Sequence, residues 1–122
     1  MESGIKLLLG KTLVSIKNED DERIIFKDTN GNNYVMHHHQ DCCENVTVSD
    51  INGDFEDLIN YPILLADEST NSEDTFNKID YPESFTWTFY HLATVKGFVT
   101  ITWLGQSNGY YSESVDFELL NN

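Results

Sequence analysis

The chain has 122 residues, the size of one domain, and 39% apolar with 12% aromatic residues is enough for a packed core rather than a disordered acidic tail. Seven basic against 21 acidic residues give a net charge of −14. That charge repels long phosphate polymers and anionic membrane surfaces, which argues against DNA or RNA polymers and membranes as partners.

The charge is unevenly placed. Residues 1–27 carry five basic and five acidic groups, whereas residues 28–122 set 16 carboxylates against Lys78 and Lys96 alone. The early apolar run Leu7-Leu8-Leu9 is too short for a signal-peptide core, and no stretch reaches transmembrane length, so a cytosolic location is expected. Cys42 and Cys43 are adjacent, make no disulfide framework, and are expected to be reduced.

Alternation from Lys11 to Lys17 predicts a first strand, and a charged turn follows at Asn18–Glu22. Arg23–Asp28 predicts a second strand, and Asn30-Gly31 is the strongest hairpin signal in the chain. Asn33–His39 should pair back, which completes an antiparallel meander. Asn45–Ile51 predicts a fourth strand. Gly53–Asn60 predicts a short helix, with Asp54, Glu56 and Asp57 at its positive end and Phe55, Leu58 and Ile59 on its apolar face. Ile63–Ala66 predicts another strand, and the polar stretch Asp67–Tyr81 a loop.

Three final strands are expected at Phe85–Thr94, Phe98–Leu104 and Tyr110–Leu119, separated by turns at Lys96-Gly97 and Gly105–Gly109. Alternation sets Phe85, Trp87 and Phe89 on one face, expected to be core, and Thr86, Thr88 and Tyr90 on the other. Val99, Ile101 and Trp103 likewise oppose Thr100 and Thr102. The hydroxyl-bearing face is either an ordinary solvated sheet face or a hydrogen-bonding floor for a polar ligand. The expected fold is α+β, mainly antiparallel β-sheet with one short helix, in a single compact domain spanning residues 1–122.

Residues 35–44 gather His37, His38, His39, Cys42, Cys43, Asp41 and Glu44. The spacing argues against zinc, because neighbouring histidines on a strand point to opposite faces and adjacent cysteines bite one ion poorly. A structural turn is the blander reading and a ligand-binding turn the sharper one; no metal site is assigned. Asp50-x-Asn52-x-Asp54 lacks the glycine and the closing glutamate of a calcium loop, since Phe55 and Tyr61 stand there, and reads instead as helix capping. No nucleophile elbow, zinc-protease motif or phosphate-binding glycine loop occurs, and no Lys or Arg lies near Cys43 to activate it, so no catalytic residue is assigned and a non-enzyme is expected. Tyr110 and Tyr111, beside the turn at Asn108, offer rings on which a base could stack, with Asn108 placed to read its edge.

Four stretches together are distinctive: His39-Gln40-Asp41-Cys42-Cys43-Glu44-Asn45-Val46, Asp50-Ile51-x-Gly53-Asp54, Glu83-Ser84-Phe85-Thr86-Trp87-Thr88-Phe89-Tyr90 and Gly105-x-Ser107-Asn108-Gly109-Tyr110-Tyr111-Ser112-Glu113. The chain resembles, over nearly its whole length, the phage and prophage family of Thoeris anti-defence sponges of the first described type. The resemblance implies a non-catalytic protein acting in the cytoplasm of the bacterial host. It would sequester intact glycocyclic ADP-ribose (gcADPR), the cyclic nucleotide made by a TIR-domain protein, and also cyclic trinucleotides. It implies homo-oligomers with pockets shared between subunits, and no cofactor. The residues that match these stretches and are able to stack or hydrogen-bond are Phe85, Thr86, Thr88, Tyr90, Asn108, Tyr110, Tyr111, Ser112, Asp41 and Glu44. One difficulty is charge, because a pyrophosphate favours cations and residues 28–122 have two lysines. The alternative reading is an acidic DNA mimic, or another inhibitor that binds a bacterial defence protein.

Overall fold

Alternating apolar residues mark most of the eight strands seen in the computed structural model, which describes residues 4–74, 84–108 and 111–120. They are β1 (Leu13–Glu19), β2 (Arg23–Asp28), β3 (Asn33–His37), β4 (Asn45–Asn52), β5 (Leu65–Asp74), β6 (Ser84–Thr94), β7 (Gly97–Ser107) and β8 (Asp116–Leu119). All pair antiparallel, in two four-stranded sheets of order β1-β2-β3-β8 and β4-β7-β6-β5. Among the described residues no helix is long and apolar enough to cross a membrane.

The N-terminal meander forms as the hairpin signal predicts. Gly31 takes φ +84°, open to glycine at little cost. Asp28, 2% exposed, accepts from the backbone N–H groups of Asn30 and Asn32, from the Asn32 amide and from the Tyr34 hydroxyl. In β1 a bulge between Leu13 and Ser15 turns Leu13 and Ile16 toward the core, whereas strict alternation would have grouped Leu13 with Ser15 and Lys17.

One apolar cluster joins the sheets: Ile24, Phe26, Tyr34, Met36 and Phe117 from the first, and Val46, Val48, Tyr90, Leu92, Val99, Ile101 and Trp103 from the second. Trp103 donates its indole N–H to Met36 Sδ at 3.2 Å, from one sheet to the other. The 3₁₀ segment Gly4–Leu8 closes one side with Ile5 and Leu8.

Several expectations change. The helix expected over Gly53–Asn60 is a single 3₁₀ turn, Phe55–Leu58, because Ile59 is already extended and Asn60 sits at φ +72°. Its cap and apolar face are as expected: Asp54 accepts from the Glu56 N–H, Leu58 is fully buried, and Phe55 and Ile59 pack on the core. The loop expected from Asp67 is strand as far as Asp74; its polar composition suits β5 as a sheet edge. The expected last strand is shortened to β8, which leaves the β6–β7 sheet and pairs with β3.

The faces of β6 are reversed from expectation. Tyr90 lies opposite Ile101 and Thr88 opposite Trp103, and directly opposed residues share a face. Thr88, Tyr90, Leu92 and Thr94 therefore point to the core, and Phe85, Trp87 and Phe89 stand half-buried on the outer face. The Phe89, His91 and Phe98 rings stack along that face, at 6.5 Å and 5.9 Å between centroids.

Candidate functional site

The inner face of the second sheet changes character along β6. Tyr90 and Leu92 are core, but toward the start of the strand the same face carries Thr88, Thr86 and Ser84. There the sheet floors a recess of about 340 Å³ lined by Glu68, Thr70, Ser84, Thr86, Thr88, Tyr111, Ser112, Glu113, Ser114 and Val115. Small hydroxyl side chains leave this volume where larger apolar ones would fill it.

Residues 111–115 form the wall, and Glu113 fastens them. Its carboxylate, in a residue 8% exposed, accepts from Ser84 Oγ at 3.2 Å, from Thr86 Oγ1 at 2.7 Å and from the Ser107 hydroxyl. Gly105 on β7 permits this approach: a Cβ there would lie 2.6 Å from Glu113 Cβ and 2.7 Å from its carbonyl oxygen. Ser112 and Ser114 hydroxyls pair at 2.8 Å. Tyr90 donates its hydroxyl to the Val115 carbonyl at 3.3 Å, and burial, reinforced by Glu68, raises its pKa.

Of the residues singled out in the sequence, Thr86, Thr88, Tyr111 and Ser112 meet in this recess. Tyr90 anchors its wall from the core. Phe85 is on the opposite face of the sheet. Asn108 is exposed in the turn after β7, and Tyr110 lies outside the described residues. Glu68, Thr70, Ser84, Glu113, Ser114 and Val115 were not singled out. Glu113 and Ser84 stand within the distinctive stretches, but their convergence depends on the path of residues 111–115 across Gly105.

Asp41 and Glu44 belong to the turn between β3 and β4. Glu44 is buried and accepts from the N–H groups of Asp41 and Cys42, both at 2.9 Å, and from the Gln40 amide; His38 Nε2 lies 2.7 Å away. The His38 hydrogen bond, against the upward push of burial and with the Cys42 and Asp41 N–H groups, holds the Glu44 carboxyl down at about 2. Glu44 is thus the internal ligand of its own turn. Cys42 and Cys43, expected to be reduced thiols, are joined in a disulfide between neighbours on this turn, which brings the two sulfurs together.

A second, larger cleft of about 800 Å³ lies between the β1–β2 hairpin and the start of β4. Lys17, Asn18, Arg23, His37, His38, Gln40, Asn45 and Thr47 line it together with Glu19, Asp20 and Glu22. Arg23 and Lys17 both pair with Glu19, so its cations are partly neutralised within the cleft. His38 connects the two depressions: it lines the larger one and donates from Nδ1 to the carbonyl of Ser114, in the recess wall, at 2.6 Å.

The recess offers hydroxyls that donate and accept, the Glu68 carboxylate, and the half-buried Tyr111 ring. That set suits sugar hydroxyls and a nucleobase better than a bare phosphate. A family model described as a domain of unknown function (DUF7448) matches residues 6–117. No curated protein and no solved structure matches the chain.

Proposed function

The chain belongs to the DUF7448 family, and we propose that it acts as a non-catalytic sponge that captures a small cyclic nucleotide, gcADPR, and so withholds it from an immune effector. The observation that carries this reading is the hydroxyl-lined recess, in which four of the residues within the resemblance, Thr86, Thr88, Tyr111 and Ser112, converge. Glu68 and the hydroxyls of Thr70 and Thr88 would bond ribose hydroxyls, and Tyr111 would stack on the base.

The recess lies near the lower end of small-molecule pocket sizes, roughly 300–1,000 Å³, and would enclose part of gcADPR. The remainder, including the pyrophosphate, would be met by backbone N–H groups and hydroxyls of a neighbouring copy in a homo-oligomer. Cyclic trinucleotides are a further ligand class within the same proposal. Action in the cytoplasm of a bacterial host, from a phage or prophage gene, is part of the proposal.

Calorimetric titration with gcADPR, followed by heat release and identification of the ligand, tests it. Tight binding with intact ligand recovered supports the sponge. Tyr111→Ala should weaken affinity roughly 5- to 150-fold, the range of one base–aromatic stack, with an unchanged melting temperature. No heat of binding, or a chemically altered product, would overturn the reading and turn attention to a protein partner.

A further inference from the structure

We propose that His37, His39 and Glu118 form a binding site for a divalent transition-metal ion of the zinc class on the outer face of the first sheet. β3, expected to run to His39, ends at His37; in the segment after it the His39 ring lies beside that of His37, and His38 turns to Glu44. β8 then supplies the carboxylates: Asp116 lies opposite His37, and Glu118 opposite Val35, one pleat along on the same face.

The three side chains already converge. Glu118 Oε2 is 3.0 Å from His37 Nε2, and Oε1 is 3.0 Å from His39 Nε2. The two imidazole rings lie 4.5 Å apart between centroids. One ligand atom from each of the three residues can be chosen so that all lie within 4.8 Å of one another. A tetrahedral ion with bonds of about 2.0–2.1 Å separates its ligand atoms by about 3.4 Å, so small side-chain rotations would admit it. Asp116 Oδ2, 3.8 Å from His39 Nε2, is a fourth donor on the same face.

The donor chemistry is selective. Two imidazoles and a carboxylate suit zinc, cobalt or nickel rather than calcium or magnesium, which prefer all-oxygen shells. Two carboxylates offset the charge of a divalent ion. Arg23, opposite His37 on β2, is held by Glu19. Side-chain exposures of 23% for His37, 60% for His39 and 47% for Glu118 leave the site open to solvent. The set is not the one a sequence reading would assemble. His38 is occupied by Glu44 and Ser114, and the cysteine sulfurs are bonded to each other.

The test uses tag-free protein stripped with a chelator, titrated with Zn²⁺ in competition with a chromophoric chelator. One ion per chain should bind with a Kd on the order of 1 μM or tighter. His39→Ala and Glu118→Gln, both at exposed positions, should each weaken it roughly tenfold or more, and His91→Ala, on the other sheet, should not. Co²⁺ should give ligand-field bands without a thiolate charge-transfer band. Absence of saturable binding, affinity unchanged in His39→Ala, or a thiolate band would overturn the proposal.

Discussion

Asp28 and Glu44 show how single carboxylates set local backbone in this protein. Each is buried, and each is surrounded by donors from a turn it closes. Burial alone would raise the Asp28 carboxyl, but the Asn32 backbone and side chain, the Tyr34 hydroxyl and the Asn30 N–H together bring it below the usual range. Glu44 goes further, to about 2 from an ordinary 4.5. A carboxyl depressed in the folded state contributes stability that is complete above its unfolded pKa and is lost as pH falls through the folded value. The Glu44 contribution should therefore be intact above about pH 4.5 and disappear toward pH 2. Glu44→Gln should lower the melting temperature by several degrees at pH 7 and flatten the loss of stability across that acid window, read by thermal melts at a series of pH values. An acid limb identical to the parent would show that other carboxylates set it. Glu44 was marked in the sequence by its neighbours His38, Cys42 and Cys43. Sequence alone does not distinguish a residue that binds its own turn from one that binds a ligand, because both need the same carboxylate.

At the scale of elements, period-2 patterning located the strands more surely than it oriented them. In β6 both alternating sets are plausible core: Phe85, Trp87 and Phe89 are larger, but Thr88, Tyr90 and Leu92 are the set inside. What decides is pairing. Val99, Ile101 and Trp103 are an unambiguous core face of β7, and the register carries that choice across to Thr88, Tyr90 and Leu92. The turn that sets the register is Val95-Lys96, one residue earlier than the expected Lys96-Gly97, because Gly97 already pairs with Thr94; the face follows only once residues are counted back from it. The two tryptophans should report the result. Trp103 is fully buried and Trp87 is half-buried on the outer face, so an aqueous quencher should reach only Trp87. Trp87→Phe should abolish the quenchable part of the fluorescence at little cost in stability. Trp103→Ala should destabilise by about 3–5 kcal/mol, as large-to-small changes in a packed core do. The recess inherits the same lesson. Thr86 and Thr88 were legible as a hydroxyl pair, but Glu113 joins them only because residues 111–115 leave the strand path and cross Gly105.

Over the whole molecule, the charge of −14 separates the two functional readings by the sign of a salt effect. A ligand bearing a pyrophosphate is repelled at long range by such a chain, and dissolved ions screen that repulsion over a Debye length of about 10 Å at 0.1 M. Its association rate should therefore hold steady or rise as salt increases, with affinity set by short-range hydrogen bonds and stacking that salt affects little. An acidic mimic works the other way, because attraction to a basic partner supplies its binding and fades as salt rises. The described surface gives each reading something: Glu19, Asp20, Asp21 and Glu22 crowd the β1–β2 hairpin end, whereas the recess is floored by neutral hydroxyls. Stopped-flow association with gcADPR at salt from low to several-fold above physiological should show a flat or rising rate. A steep fall would mean that cations on the protein, such as Lys17 and Arg23 in the larger cleft, dominate capture. The site would then move from the recess to that cleft.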